Sequence, residues 1–214
     1  MKKNTKKQVS KDIELVMLMD RSGSMSAIQH DMEGAINTYI ADQKKNFPNT
    51  KLTFAQFDIE YEILYFGVKI TDVSDIRLKP RGCTALLDAI GRTINEAKAR
   101  IEKEKTDPQL LFVIVTDGEE NSSTEFTKDT IFKMISDQKA KAWDFVFLGA
   151  NQDAIQQGGN IGISAGKCLT YKTSSKGIGA TGQSLCCYTQ SMRSSYNSDS
   201  VNFTNKDRQD QENS

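Results

Sequence analysis

Two apolar runs constrain this chain most. Ile13 to Met19 reads Ile-Glu-Leu-Val-Met-Leu-Met, interrupted only by Glu14, and Leu110 to Val115 reads Leu-Leu-Phe-Val-Ile-Val. Runs of this length without polar alternation mark strands buried on both faces, the situation in parallel sheets covered by helices on either side. Each run leads into a polar turn that carries an aspartate. Asp20-Arg21-Ser22-Gly23-Ser24 follows the first, and Thr116-Asp117-Gly118 follows the second. In open α/β sheets, ligands bind at the carboxyl ends of strands.

The segments between the runs support that sheet. After the first turn, Ile28, Met32, Ala35, Ile36, Tyr39 and Ile40 recur in steps of three and four, which predicts a helix ended by Phe47-Pro48. Lys51 to Phe57 and Tyr61 to Phe66 are strand-like. Only Asp58-Ile59-Glu60 separates them, so they form an antiparallel hairpin. A second helix is expected from about Ala85 to Lys103 and a third over Lys128 to Lys139, with a further strand at Trp143 to Leu148. Strands alternating with helices predict a Rossmann-like, doubly wound three-layer α/β sandwich, its central sheet mostly parallel with one antiparallel edge strand.

Domain organisation follows from the same pass. Residues 1–10, Lys-rich and nearly free of apolar side chains, are expected to be a disordered basic arm. Residues 11–150 form the domain core. Residues 151–194 are an extension packing on it, with a last helix from about Thr181 to Ser194. The Asn-, Ser-, Asp- and Gln-rich tail over 195–214 is expected to be disordered. Gly177-Ile178-Gly179-Ala180-Thr181-Gly182 matches the dinucleotide-binding spacing, but no buried strand precedes it and too little chain follows for a βαβ unit.

Composition removes several classes. Lys+Arg and Asp+Glu are equal at 28 each, which gives no support for a nucleic-acid partner. No apolar run reaches membrane-spanning length, so no membrane partner is expected, and the basic start is not followed by the apolar segment of an export signal. A cytoplasmic, monomeric protein is the expectation. The cysteines lack the spacing of a disulfide framework or zinc site. The sole histidine, His30, lies on the first helix, which weighs against Ser-His or Cys-His chemistry.

Asp20, Ser22 and Ser24 bring three hard oxygens to one turn, which suits Mg²⁺ better than a soft metal. Thr84, in Arg81-Gly82-Cys83-Thr84-Ala85, supplies another hydroxyl at the start of the second helix, and Asp117 a second carboxylate. Each piece alone is an ordinary turn or helix cap. Together, Asp-x-Ser-x-Ser, then Thr, then Asp resembles the metal-ion-dependent adhesion site (MIDAS) of von Willebrand factor A (VWA) domains, over roughly residues 11 to 150. The small stand-alone bacterial or phage type is the nearest in pattern.

That resemblance implies that Asp20, Ser22, Ser24 and Thr84 stand nearest the metal, with Asp117 acting mostly through a water. It also implies that an acidic residue of a partner protein completes the coordination. Mg²⁺ is the expected ion, and Mn²⁺ shares its octahedral oxygen chemistry. Arg81, Glu119, Glu120, Asn121 and Asn151 fall on the same expected rim as partner contacts. The expected function is metal-dependent protein binding without catalysis. The alternatives are a Mg²⁺-dependent hydrolase or phosphatase at the same site, and a domain whose metal is only structural.

Overall fold

A computed structural model describes residues 12–150, 153–195 and 198–214. The basic arm expected over residues 1–10 and the rim residue Asn151 lie outside the described residues. Six strands form one sheet: β1 (Ile13–Asp20), β2 (Lys51–Phe57), β3 (Tyr61–Lys69), β4 (Gln109–Thr116), β5 (Trp143–Ala150) and β6 (Cys168–Tyr171). Their spatial order is β3-β2-β1-β4-β5-β6. Every neighbouring pair is parallel except β2 and β3, the expected hairpin. The helices are α1 (Gln29–Asn46), α2 (Leu86–Glu104), α3 (Lys128–Lys139), α4 (Ala154–Asn160), α5 (Ser175–Ser194) and α6 (Asn205–Glu212).

The sandwich follows from β1. Its side chains alternate between two cores. Leu15, Met17 and Met19 pack with Met32 and Ile36 of α1 and with Leu185 and Tyr188 of α5. Val16 and Leu18 pack with Ile90 and Ile94 of α2 and Ile131 of α3. A strand covered on both faces has no place for a polar side chain, which is why the run is continuous. Glu14, the one exception, is buried and paired with the buried Arg100 of α2.

The topology also places the functional edge. From β1 the chain winds outward through β2 and β3, then returns to β4 on the other side of β1. The reversal between β1 and β4 is the switch point at which open α/β sheets bind ligands. The turns after these two strands are the two aspartate turns. The return path runs through residues 70–78, where Ile70, Val73, Ile76 and Leu78 are buried. Asn37 of α1 grips this strap at both polar atoms of Ile76 (3.0 and 2.7 Å), and Glu33 accepts the Leu78 N–H at 2.8 Å.

The chain beyond β5 departs from expectation. Cys168–Tyr171 adds a sixth strand to the sheet, so this extension is built into the domain. Helix α5 starts at Ser175, capped by Ser174, whose hydroxyl accepts the Gly177 N–H at 3.0 Å. The Gly177–Gly182 spacing therefore lies inside a helix. The tail expected to be disordered from Ser195 is instead folded over much of its length. Val201 and Phe203 are buried, and the Phe203 ring packs 5.0 Å from that of Tyr188. Thr204 and Asp207 then form a capping box that starts α6. On α6, Arg208 donates to the carbonyls of Cys168 and Ala165, and Gln211 accepts the Lys172 N–H. The helix thus covers backbone at the β6 edge. Two apolar anchors suffice, and they are too sparse to register in composition. Among the described residues, no helix is long and apolar enough to cross a membrane.

Candidate metal centre

Three loops meet at the switch point. The first leaves β1 at Asp20, which is fully buried beside Phe57 of β2. The Ser22 N–H folds back onto Asp20 Oδ1 at 2.6 Å. The chain then enters a 3₁₀ turn over Gly23–Ala27. This turn brings the Ser22 and Ser24 hydroxyls to 3.0 Å from one another. In the second loop, Gly82 adopts φ of +66°, which an L side chain rarely tolerates. That bend lets the Gly82 carbonyl accept the Gly23 N–H at 3.1 Å and delivers Thr84 to the same point. The third loop leaves β4. Thr116 Oγ1 donates to Asp20 Oδ2 at 2.6 Å, and Asp117 Oδ1 accepts from Ser24 Oγ at 2.7 Å.

These contacts bring together all five residues that the sequence singled out. An ideal Cβ placed on Gly118 would stand 3.1 Å from Thr84 Oγ1, 3.6 Å from Ser24 Oγ and 4.0 Å from Asp20 Oδ2. The absent side chain thus leaves a cradle walled by three of the five oxygen-bearing groups. Thr84 is 3% exposed, yet its hydroxyl makes no hydrogen bond with a described residue and does not cap α2. Octahedral Mg²⁺ with bonds of about 2.1 Å holds adjacent oxygens about 3.0 Å apart. The Ser22–Ser24 separation matches that edge. The donor set, three hydroxyls and two carboxylates, is wholly oxygen and suits a hard cation. Among the described residues no three His, Cys, Asp or Glu side chains cluster as a metal site, so a metal here would rest on the hydroxyls as well as the carboxylates.

The electrostatics agree. Burial pushes the Asp20 carboxyl up from 3.8 to about 6. Hydrogen bonds from Thr116 and Ser22 oppose that rise, and the nearby Asp117 charge adds to it. Burial also raises Asp117, against the Ser24 hydrogen bond. Two carboxylates held close without a cation are each harder to ionise, and a bound cation would reverse that.

The rim residues divide. Arg81 and Glu119 are exposed. Glu120 turns inward: it accepts N–H groups from Leu87 at the start of α2 and from Ser122 and Ser123. Asn121 clasps Thr84, accepting its N–H at 3.0 Å on Oδ1 and donating its own N–H to the Thr84 carbonyl at 3.1 Å. His30 is exposed on α1.

Two supports were missed in the sequence. Thr116 orients Asp20, and Asp58 ties the first two loops together. Thr116 was within reach, because the parallel register pairing Met19 with Val115 brings the next residues, Asp20 and Thr116, side by side. Tyr171 of β6 adds a further brace by donating to the Thr116 carbonyl at 3.2 Å.

No protein-family model matches the chain, and no curated protein sequence matches it. Solved structures do. Proximal thread matrix protein 1 from the mussel byssus superposes with a TM-score of 0.65 at 15% identity, over 86% of this chain and 47% of that one. The same byssus protein has been solved with a zinc-occupied MIDAS motif. A von Willebrand factor type A protein from Catenulispora acidiphila gives 0.62 at 13% identity, over 84% of this chain and 43% of that one. The SpRpn10 VWA domain gives 0.55 at 11% identity, over 78% of this chain and 92% of that one. The chain thus spans under half the length of the first two and most of the third. At these identities the likeness establishes the fold, which is that of a VWA domain.

Proposed function

We propose that this protein is a metal-dependent protein-binding module. Asp20, Ser22, Ser24 and Thr84 hold Mg²⁺, with Mn²⁺ able to substitute, and Asp117 acts through a water. The observation that carries this reading is the cradle over Gly118, where an unpartnered Thr84 hydroxyl, Ser24 and Asp20 converge within 4.0 Å of one point. Mg²⁺ bound there would supply an electrophilic position that a carboxylate can fill. Asp20 is the only charged group expected to touch the ion, so the ion keeps net positive charge and favours an acidic side chain from outside. Thr116 fixes the orientation of Asp20, and Ser24 fixes Asp117. Glu119 and Arg81 offer exposed contacts beside the opening.

The zinc-occupied MIDAS of the byssus protein supports metal binding in this fold. We infer a monomer acting in the cytoplasm, in the manner of small stand-alone bacterial or phage VWA proteins. Affinity capture from a host lysate, with Mg²⁺ and with chelator, tests the reading using wild type and Asp20→Ala. A protein retained by wild type with Mg²⁺, and lost in the other arms, is the expected result. The same proteins in every arm would sink it.

A further inference from the structure

Asp58 binds no metal in the reading above, yet more of the loop scaffold passes through it than through any proposed ligand. It follows the last residue of β2, at the tip of the β2–β3 hairpin, and its side chain is fully buried. Oδ2 accepts from Arg21 Nε at 3.0 Å and from Arg81 Nε at 2.8 Å. Oδ1 accepts the Glu60 N–H at 2.6 Å, and the Asp58 carbonyl accepts the Ala85 N–H at 3.1 Å. Arg21 stands between Asp20 and Ser22. Arg81 opens the loop that carries Thr84, and Ala85 follows Thr84 directly. Backbone bonds run alongside: Arg21 N–H to Phe57 O at 2.8 Å, and Arg81 N–H to Arg21 O at 2.9 Å. One carboxylate thus joins the hairpin tip to two of the three metal loops.

We propose that Asp58 is the positioning residue of the metal centre, holding the Ser22 and Thr84 loops in register through Arg21 and Arg81. The inference rests on the metal-site reading and deepens it. Two guanidiniums on one buried carboxylate form a rigid fork. Without it, the Thr84 loop keeps the Asn121 clasp, the Arg81–Glu60 pair and its backbone contacts, but loses its tie to the Arg21 loop. Groups that orient metal ligands without touching the metal govern affinity in this way. The role assigned to Arg81 therefore changes. Its head group is committed to Asp58 and Glu60, so it locks a loop before it meets a partner.

Charge and position predict opposite signs for one substitution. Arg81→Met removes a positive charge near a cation site. If through-space electrostatics ruled, Mg²⁺ would bind more tightly. If Arg81 positions the Thr84 loop through Asp58, Mg²⁺ binds more weakly, by about 10-fold. The experiment titrates Mg²⁺ by calorimetry and Mn²⁺ by its free-ion electron paramagnetic resonance signal. It compares wild type, Arg81→Met, Arg81→Lys and Asp58→Asn, with metal-free melting temperatures alongside.

The expected result is weaker binding in Arg81→Met at an unchanged metal-free melting temperature, partial recovery in Arg81→Lys, and a loss of about 10- to 100-fold in Asp58→Asn. Should Asp58→Asn fail to fold, the exposed Arg81 variants decide alone. Equal or tighter binding in Arg81→Met, with wild type binding normally, overturns the role of Asp58 and leaves the metal site standing. A wild type that binds neither ion overturns both.

Discussion

Asp20 and Asp58 lie at the ends of adjacent parallel strands, and both are buried. Their surroundings differ in one respect. Asp58 receives two guanidiniums and a backbone N–H. Burial works against its charge, but the Glu60 N–H and the two arginines outweigh burial and hold its carboxyl below the usual range. Asp20 receives only neutral donors and faces a second carboxylate. Its charge is hydrogen-bonded but not neutralised. A buried carboxylate with its counter-charge inside the chain is a structural device. One without it keeps a place for a cation from outside. The sequence motif marks Asp20 and says nothing of Asp58, yet the two divide the work of one site.

The largest expected effect is on Asp20 itself. Asp20→Asn removes the charge at nearly constant shape, and the Thr116 hydroxyl can turn to accept from the new amide while donating to Gly118 O, 3.0 Å away. Mg²⁺ affinity falls by more than about 100-fold, beyond what changes outside the ligand shell bring. Metal-free stability moves the other way. At pH 7 the variant is more stable than metal-free wild type by roughly 1–3 kcal/mol, because no uncompensated charge is buried. Denaturant unfolding in metal-free buffer, beside calorimetric Mg²⁺ titration, measures both. A variant that is less stable and still binds metal would erase the contrast between the two aspartates.

The contrast also has a pH signature. The folded pKa of Asp20 is raised from 3.8 to about 6, so the native state holds the proton more tightly than the unfolded chain. The contribution of Asp20 to metal-free stability is therefore full below the ordinary carboxylate range and declines as pH rises from about 4 to about 6. Asp58 is lowered, so its contribution is present above the ordinary range and fails only in stronger acid. Mg²⁺ competes with the Asp20 proton, so its affinity rises over the window in which the Asp20 contribution falls, by about fivefold between pH 5 and pH 6. Asp20→Asn should flatten the stability decline. Parallel pH profiles for wild type and Asp20→Asn would assign the titration elsewhere.

Thr84 tests the same contrast more gently. Its hydroxyl is neutral, and a water can replace it, so Thr84→Ala should weaken Mg²⁺ by roughly tenfold at most, with melting little changed. A loss as large as that of Asp20→Asn would mean that the hydroxyl, not the carboxylate, anchors the ion.

Much of the fold was legible in the sequence because burial on both faces leaves long apolar runs. Ile13–Asp20, Gln109–Thr116 and α3 fall where periodicity placed them. The loops that converge at the switch point were legible because Asp, Ser, Thr and Gly cluster at strand ends. What escaped was held by few residues. Strand β6 has four residues in a glycine-rich stretch, and α6 is anchored by Val201, Phe203 and a capping box. The supports of the site escaped for another reason. Asp58, Arg21 and Thr116 act across contacts 23 to 96 residues apart in the chain, which no local pattern records. The same distance hid the inward turn of Glu120 and the clasp of Asn121 on Thr84, both expected on the rim.

That clasp gives the smallest and most selective prediction. Asn121 is exposed, so its replacement does not threaten the fold. Its side-chain Oδ1 accepts the Thr84 N–H, as the backbone carbonyl of Asp58 accepts the Ala85 N–H one residue on. Asn121→Ala removes the acceptor and should weaken Mg²⁺ by about 3- to 5-fold, the worth of one exposed hydrogen bond. Asn121→Asp keeps an acceptor and adds negative charge near a cation, so it should bind at least as tightly as wild type. The pair separates position from contact with a partner, because both variants are read on the metal alone. If Asn121→Asp is as weak as Asn121→Ala, the acceptor is not what matters. Asn121 would then belong on the rim, leaving Asp58 as the main brace of the Thr84 loop.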